Sequence, residues 1–409
     1  MLARAEAKPP CIVLGLETQI GLGIVRELGR AGVPVYGIAQ EPHAIGLYSR
    51  YLTRGLVVLE PRSLALISAI RDLGEELGDC CLLAVSEANL AWLSAHRHAF
   101  GRVKPIAPSQ NALEVVLNKQ LTLDVARRVG ISVPETAEPS TWANFLTLIA
   151  SFQYPAVLKW KDPAAVASAL EVAGLPMKKA EYVYSSDQLR LVGERYKAIG
   201  QWPLIQQYCA GYGLGQFFYM HEGQCIRRFQ HRRIAEWPPE GGFSSVCDSV
   251  PLSLHSALQE QSIALLKAIQ WEGVAMVEYR LNPVNSQAIL MEINGRFWGS
   301  FPLAVECGAG FALIAYSLAS GLGQPSLAAP KSGKRCRMVA TEIKRLIRIV
   351  LQPKLIADRS FKVQKLPEIS RFFTDFFRPK VSYYVGSMAD PKPLLADLAN
   401  LARKLIQRG

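Results

Sequence analysis

The chain has 409 residues, of which 50% are hydrophobic and 20% charged, a composition that excludes a disordered protein and predicts two or three folded domains. The net charge of +12 comes from residues 331–409, which hold 18 Lys and Arg against 6 Asp and Glu, so the rest of the chain is neutral. Eight scattered cysteines lack disulfide or metal-type spacing, and residues 1–10 lack the apolar core of a signal peptide. We therefore expect reduced thiols in a cytoplasmic protein.

Residues 10–110 alternate short apolar runs with helical patterns. Apolar runs lie at 10–16, 33–38, 55–59 and 81–86, and helical patterns at 20–31 and 63–77. This alternation predicts a doubly wound α/β domain with a ligand crevice beyond the carboxyl ends of its strands. The crevice residues would be Gly15, Glu17, Thr18 and Glu87. The glycines here do not match a dinucleotide motif, so a tight turn with close helix packing is the better explanation.

Two lysines mark the next region. Lys119 lies at the junction of two predicted helices, and Lys159 ends an apolar strand at 152–159. A lysine at the end of a buried strand indicates a nearby anion, with a solvated edge residue as the alternative. Residues 162–179 have no regular pattern, which indicates either a mobile lid over a phosphate site or an ordinary helix–loop insertion.

The middle of the chain combines strands with basic residues. Residues 203–213 predict a strand followed by a glycine-rich turn, and residues 216–230 predict a β-hairpin. The next stretch, 231–245, joins basic residues to a Pro-Pro and a Gly-Gly pair. This composition predicts a loop that presents Arg232 and Arg233 to an anion, with a solvated strand edge as the alternative.

The strand predicted at 289–294 carries the residues best suited to a metal ion. Because alternate side chains of a strand share a face, Glu292 and Asn294 point one way. Met291 and Ile293 then point the other way. Carboxylate and amide oxygens suit a hard cation such as Mg²⁺, and ordinary strands with polar residues facing water are the alternative.

A second strand, predicted at 274–280, places Glu278 and Arg280 on one face. Arg296 directly follows the metal-binding strand, and its planar guanidinium suits phosphate or carboxylate. If the two strands are neighbours, they bring two carboxylates, an amide and two guanidinium groups together. The sequence therefore predicts a site for a metal and a phosphate group.

Two segments raise the question of a membrane. Residues 301–322 form a long apolar run, but Glu306 and several glycines favour buried helices over a membrane span. Further on, an apolar helix face is predicted from Val339, Ile343, Leu346, Ile347 and Val350, opposite Lys344, Arg345 and Arg348. Packing on the body or on a second subunit is the preferred interpretation of this basic segment. Contact of residues 338–380 with an anionic membrane surface is the alternative, and without a recognised module we expect no specific nucleic acid.

These residues come in an order that resembles the ATP-grasp superfamily. The order is Lys119, Lys159, Gln206-Gln207-Tyr208, Arg232, Glu278 and Glu292-Ile-Asn-Gly-Arg296. Over about residues 10–325 the chain looks like the ATP-grasp proteins described as carboxylate–amine ligase-like or carbamoyl-phosphate-synthase-like. An ordered set of this kind is more specific than a single glycine motif.

The resemblance implies an α/β protein with the ATP-grasp fold in four parts. These are an N-terminal doubly wound domain at 10–115, a small lid subdomain with its linker at 116–210, a metal-bearing subdomain at 211–325, and a basic amphipathic extension at 331–409. ATP, with Mg²⁺ or alternatively Mn²⁺, would lie between the lid and the metal-bearing subdomain.

The resemblance also implies a role for each residue of the predicted site. The ATP phosphates would be contacted by Lys119 and Lys159, the adenine by Gln206, Gln207 and Tyr208, the metal by Glu278, Glu292 and Asn294, and the transferring phosphoryl group by Arg296, Arg280 and Arg232 or Arg233. Two positions depart from the family pattern. Gly295 stands where many members have proline, and Tyr212 stands where an acid often lies near the ribose.

The implied activity is a ligase reaction, in which ATP converts a carboxylate into an acyl phosphate and an amine then displaces the phosphate. A small carboxylate and an amine are the expected partners, and dimers are common among similar proteins. A nucleotide-binding protein without turnover, peripheral to a membrane, and a phosphotransferase are the alternatives. The sequence shows no Ser/His/Asp or Cys/His arrangement for covalent catalysis.

Overall fold

The computed structural model describes residues 8–178 and 180–406. The expectations for residues 1–7 and for Lys179 therefore lie outside the described residues. Within the described residues the strands form three sheets, each built from a different stretch of the chain.

The first sheet is parallel and lies in the N-terminal part of the chain. Its elements are β1 (Cys11–Leu14), α1 (Gln19–Arg30), β2 (Val35–Ala39), β3 (Arg54–Val57), α2 (Leu64–Leu77), β4 (Cys80–Ala84), α3 (Glu87–Ala95) and β5 (Val103–Pro105). The strand order is β3-β2-β1-β4-β5. β1 and β4 are buried along their whole length, because helices cover both faces of the sheet. Side chains of Thr18, Ser63 and Ser86 cap the helices that leave the strand ends.

The second sheet is antiparallel and follows two linking helices. The elements are α4 (Gln110–Leu117), α5 (Lys119–Arg128), β6 (Thr136–Ala137), α6 (Trp142–Ser151), β7 (Ala156–Lys159), α7 (Pro163–Val172), β8 (Glu181–Val183), α8 (Ser186–Arg195) and β9 (Leu204–Gln207). The strand order is β6-β9-β7-β8, and we call this unit the lid sheet. Residues 163–172 are helical rather than irregular, because Val166 and Leu170 pack into the core under the sheet.

The third sheet is mostly antiparallel. Its elements are β10 (Tyr212–His221), β11 (Gln224–Trp237), β12 (Phe243–Ser249), α9 (Ser256–Ala268), β13 (Gly273–Leu281), β14 (Ala288–Asn294), α10 (Phe301–Glu306), α11 (Phe311–Ala319), β15 (Arg335–Arg337), α12 (Val339–Leu351), α13 (Lys365–Thr374), β16 (Val381–Tyr383) and α14 (Lys392–Ile406). The strand order is β14-β13-β10-β11-β12-β15-β16.

The loop predicted at 231–245 is wrong over its first half. β11 continues to Trp237, and Arg232 and Arg233 pair across the ladder with Asp248 and Cys247 of β12. The strand continues because His231 and Ala235 are buried against the sheet face, and the Pro-Pro pair that ends it begins only at residue 238.

The third sheet packs both of its faces. Phe217 and Met276 belong to a core shared with α1, α10 and α11, which joins this sheet to the N-terminal part. Leu214 and Val277 belong to the opposite core, formed with α5 and α9. The apolar run at 301–322 is thus largely buried as α10 and α11. Among the helices of the described residues, none is long and apolar enough to span a membrane.

The basic C-terminal segment is part of the third sheet rather than an appendage to it. β15 pairs with β12 and β16 pairs with β15. Arg335 is buried in ion pairs with Asp248 and Asp375, both at 2.6 Å, and Arg337 is buried against Glu342 at 2.7 Å. Two of the basic residues of this segment therefore lie inside the protein, where acidic partners neutralise them.

The faces predicted for α12 are partly reversed. Ile343 and Ile347 are 44% and 43% exposed, whereas Arg345 is buried. The reason is electrostatic, because Arg345 pairs with Glu368 and donates to the carbonyl of Glu236 at 3.1 Å. All eight cysteines carry free thiols.

Candidate active site

Strands β13 and β14 place the predicted metal residues side by side. Glu278 lies directly opposite Glu292, and Asn294 lies opposite Met276, so the acidic and amide side chains share one face of the sheet. The Asn294 Nδ2 atom donates to Glu292 Oε1 at 3.1 Å. The structure therefore brings Glu278, Glu292 and Asn294 together.

β14 departs from the regular alternation assumed in the sequence. Glu292 lies opposite Glu278, but Leu290 lies opposite Tyr279, so Met291 is an extra residue in the ladder. Leu290 and Ile293 are both buried in the core on the far side of the sheet. The prediction that Met291 and Ile293 share a face is therefore wrong, because the bulge shifts the alternation by one residue.

Arg233 is the central cation on the face that carries Glu278. Its side chain is 10% exposed and forms ion pairs with Glu278 and with Glu236, the latter at 2.9 Å. Burial opposes the charge on Arg233, but the carboxylates of Glu278 and Glu236 outweigh this effect and raise its pKa. Gly213 is required beneath it, because a Cβ atom there would lie 2.5 Å from Arg233 Cδ. Arg280 joins the same network through Glu236, at 3.2 Å.

Arg232 faces the opposite side of the sheet from Arg233, although the two residues are neighbours in the sequence. Its partners across the ladder are Leu214 and Asp248, and Leu214 belongs to the core formed with α9. The Arg232 guanidinium lies over the Tyr212 ring, 5.6 Å from the centroid. The structure does not bring Arg232 to the carboxylates, because alternate residues of β11 face opposite sides of the sheet.

Two lysines approach the carboxylates from other elements. Lys159 ends β7 of the lid sheet and is half-buried, and Lys119 is the first residue of α5. Burial is the main cause of the lowered pKa of Lys159. The carboxylates of Glu292 and Glu278 raise this pKa, and the charge of Lys119 lowers it further. The charges of Lys119, Glu278 and Glu292 are therefore close enough to Lys159 to act on it.

The end of β9 holds the three residues expected at the adenine. Gln206 is buried and donates from Nε2 to Thr136 Oγ1 at 3.2 Å. The Gln207 Oε1 atom accepts from the backbone N–H of Glu135 at 3.4 Å. Both amide side chains are thus engaged within the lid sheet, whereas the Tyr208 hydroxyl reaches out of it.

Arg296 connects Asn294 at the end of β14 to Glu87 in the N-terminal part of the chain. Its Nε atom lies 3.2 Å from Glu87 Oε1 at the start of α3, and its Nη2 atom donates to Asn294 Oδ1 at 3.0 Å. A cavity of about 120 Å³ adjoins it. The cavity walls include Leu83, Leu90, Ile106, Trp271, Phe297 and Ala315. Arg296 therefore lies between the carboxylate face and a mainly apolar space at the carboxyl ends of β4 and β5.

The residues on β13 and β14 fit a hard divalent cation. Burial raises the pKa of Glu278, the Arg233 charge opposes this, and the facing Glu292 carboxylate raises the pKa further. A bound cation would relieve this repulsion. In the described part of the chain, no cluster of three or more His, Cys, Asp or Glu has the arrangement of a metal site. Two carboxylates and an amide oxygen instead match Mg²⁺, which keeps other positions for water and phosphate oxygens.

Two acidic residues of this region escaped prediction from the sequence. Glu236 is buried in β11 and links Arg233 to Arg280. Glu236 could have been found from the sequence, since it is the single acidic residue near the end of a basic strand. It was missed because this stretch was predicted to be a loop. Asp358 is 3% exposed and accepts a hydrogen bond from the Tyr208 hydroxyl at 2.8 Å. No local motif marks Asp358, because only the tertiary fold brings it to the lid.

Comparison with known proteins gives one family match and several structural matches. The family model describes the ATP-binding domain of the carbamoyl-phosphate synthase L chain and covers residues 249–327, which include β13, β14 and Arg296. No curated protein matches the chain by sequence. The matched stretch is the part of the chain that carries the paired carboxylates.

The lid sheet, the carboxylate-bearing third sheet and the N-terminal parallel sheet define an α/β protein with the ATP-grasp fold, so the resemblance to that superfamily is confirmed. The chain is similar to a biotin carboxylase–β,γ-ATP complex from Campylobacter jejuni, with 18% identity and a TM-score of 0.61 over 80% of this chain and 74% of that chain. It is similar to the ADP complex of purK, an N5-carboxyaminoimidazole ribonucleotide synthetase, with 13% identity and a TM-score of 0.62 over 90% and 97% of the two chains. An L-amino acid ligase from Bacillus licheniformis matches with 15% identity and a TM-score of 0.56 over 78% and 75%.

Proposed function

We propose that the protein is an ATP-dependent ligase that activates a carboxylate as an acyl phosphate and joins it to an amine. The observation that carries this proposal is the pairing of Glu278 with Glu292 across β13 and β14, in the electrostatic field of Lys159 from the lid sheet. Paired carboxylates opposite lysines suit a metal-bound polyphosphate. Nucleotide binding is supported by the β,γ-ATP complex of the similar biotin carboxylase and by the ADP complex of purK, and we propose that the nucleotide lies between these two sheets.

The reaction overcomes the resistance of a carboxylate to attack by an amine. A carboxylate oxygen bonds to the γ-phosphorus of ATP while the bond to the β–γ bridging oxygen breaks, and ADP leaves. The amine nitrogen then bonds to the acyl carbon, phosphate leaves with the electron pair of its bond, and the nitrogen loses a proton. No protein nucleophile is needed, so positioning and charge neutralisation supply the catalysis.

Each charged group has a place in this scheme. Glu278, Glu292 and Asn294 would hold Mg²⁺, with Mn²⁺ as the alternative, and the cation would neutralise phosphate charge. Lys119 and Lys159 would bind phosphate oxygens. Arg296, at the boundary with the apolar cavity, would orient the carboxylate and its phosphorylated form, while Arg233 and Arg280 hold the glutamates in place. The substrates would then be a small carboxylate and an amine.

We also propose the division into a domain at 10–115, a lid subdomain at 116–210, a metal-bearing subdomain at 211–325 and a C-terminal segment at 331–409. In this proposal, residues 331–409 pack on the rest of the protein. The buried ion pairs of Arg335, Arg337 and Arg345 support packing on the body over contact with a membrane.

The test measures ADP release over a panel of carboxylates and amines. A ligase needs both substrates, whereas a phosphotransferase needs one and a binding protein releases no ADP. In Glu292→Ala we expect turnover to fall at least about 100-fold, because the metal loses a charged ligand. Glu260→Ala, which removes an exposed partner of Arg228, is the matched control and should keep its turnover. Unchanged turnover in Glu292→Ala would contradict the metal role.

A further inference from the structure

A short C-terminal stretch, residues 356–361, lies against the lid sheet. It follows α12 and a turn at Pro353–Leu355, and its contacts reach residues at the ends of β8 and β9. The function proposed above gives this stretch no role. Its side chains nevertheless contact Tyr208, one of the residues expected at the nucleotide.

Asp358 is the centre of this contact. It is 3% exposed, and its carboxylate accepts hydrogen bonds from the Tyr184 hydroxyl at 2.6 Å, the Tyr208 hydroxyl at 2.8 Å and the Ser360 backbone N–H at 2.7 Å. Hydrogen bonds to an ionised acceptor are stronger than those between neutral groups. The two tyrosine hydroxyls therefore hold the stretch against the lid sheet, and the Ser360 N–H bond orders the stretch around Asp358.

The same stretch is fixed to the third sheet on its other side. The backbone N–H of Ala357 donates to Glu240 Oε1, in the loop after β11, at 2.9 Å. Arg348 of α12 lies over the Trp237 ring, 5.3 Å from the centroid, and donates to the Leu355 carbonyl. Residues 356–361 thus bridge the lid sheet and the third sheet, the two units between which the nucleotide is proposed to bind.

We propose that Asp358 is a positioning residue for the nucleotide, which sets the affinity for ATP and ADP by holding Tyr208 and Tyr184. This inference rests on the proposed function and assigns the C-terminal stretch to the nucleotide site. Tyr208 directly follows β9, and its ring packs edge-on against Tyr182 at 6.2 Å. Asp358 holds the end of β9 in one position before the nucleotide binds. Binding therefore costs less conformational entropy.

The experiment measures MgADP binding to the full chain by isothermal titration calorimetry. In Asp358→Ala both tyrosine hydroxyls lose their acceptor, and we expect the Kd for MgADP to rise about tenfold, which corresponds to about 1.4 kcal/mol. Asp358→Asn keeps a carbonyl acceptor and a group that can donate to a hydroxyl, so it should recover part of the affinity. Tyr208→Phe removes one of the two tyrosine hydrogen bonds and should raise the Kd about threefold, a smaller change for one bond.

Asp390→Ala is the matched control. Asp390 is also a buried aspartate of the C-terminal segment, where it binds Arg26 and Ser49 away from the lid sheet. It should lower the urea midpoint without changing the Kd for MgADP. If Asp358→Ala does not fold, Tyr208→Phe and Tyr184→Phe carry the test.

The outcomes separate the two proposals. If the wild-type protein does not bind MgADP, the proposed function fails. If the wild type binds and the Asp358 and tyrosine variants bind equally well, the function stands and the role of Asp358 is overturned. If Asp390→Ala weakens MgADP binding as much as Asp358→Ala, the effect is one of general stability, and the positioning role is likewise overturned.

Discussion

Replacement of Arg233 by methionine tests the electrostatic balance of the site most directly. Methionine keeps a long apolar side chain but removes the guanidinium, which is 10% exposed and joins Glu236 to Glu278. Glu236 would keep Arg280 as a partner at 3.2 Å. Glu278 would instead face Glu292 without its ion pair, so the loss falls mainly on Glu278.

The expected cost follows from the geometry. At an effective dielectric constant of about 20, unit charges in contact at about 3 Å, like those of Arg233 and Glu278, attract by about 6 kcal/mol, which offsets the desolvation of buried ions. Breaking a buried pair by removing one partner typically costs about 3–5 kcal/mol. We expect Arg233→Met to lower the free energy of unfolding by that amount. The double variant Arg233→Met/Glu278→Leu should recover most of it, because no unpaired charge remains.

Urea unfolding of both variants and the wild type measures these differences. Arg228→Met is the control, because it breaks an exposed pair with Glu260 and should cost less than about 1 kcal/mol. Millimolar Mg²⁺ should raise the urea midpoint of Arg233→Met more than that of the wild type, since a cation between Glu278 and Glu292 replaces the lost charge. A loss below about 1 kcal/mol in Arg233→Met, or no recovery in the double variant, would refute the reasoning.

Two further predictions concern stability. Burial raises the pKa of Glu27 to about 7 from 4.5. Because the folded-state pKa lies above the unfolded value, Glu27 contributes stability below about pH 4.5, and this stability is lost as the pH rises through about 7. Between pH 4 and 8, the free energy of unfolding of the wild type should therefore fall by about 2–3 kcal/mol relative to that of Glu27→Gln. A constant difference in urea titrations across that range would contradict this. Gly213→Ala should push Arg233 from its place at a cost of about 1–3 kcal/mol, whereas Gly386→Ala, with ordinary contacts of 3.5 Å and more, should change the urea midpoint little.

The carboxylates could be predicted because they interrupt apolar strands. A buried strand tolerates an acid only where a partner or ligand compensates it, so Glu278, Glu292 and Asn294 stand out in single-sequence reasoning. The N-terminal alternation of strands and helices is similarly strong, since period and composition agree over many residues. These features depend on local pattern alone.

The errors came from contacts that local pattern does not record. The first half of the predicted 231–245 loop is strand because β12 supplies a partner for Arg233, and the composition of the loop does not reveal that partner. The bulge at Met291 depends on the register of β13 against β14. Arg345 is buried because Glu368 and a backbone carbonyl surround it, although its helix pattern assigns it to water. In each case a tertiary partner outweighs local preference.

The buried pair between Arg26 and Asp390 joins positions that are 364 residues apart. During synthesis, α1 leaves the ribosome long before its carboxylate partner exists, and β12 has an open edge until β15 arrives. A fragment ended at residue 327, where the family match ends, would therefore leave Arg26 without its hydrogen-bond partners and expose a sheet edge to other chains. The N-terminal and third sheets therefore need residues 335–390 to complete their contacts, and fragments that end at residue 327 should aggregate.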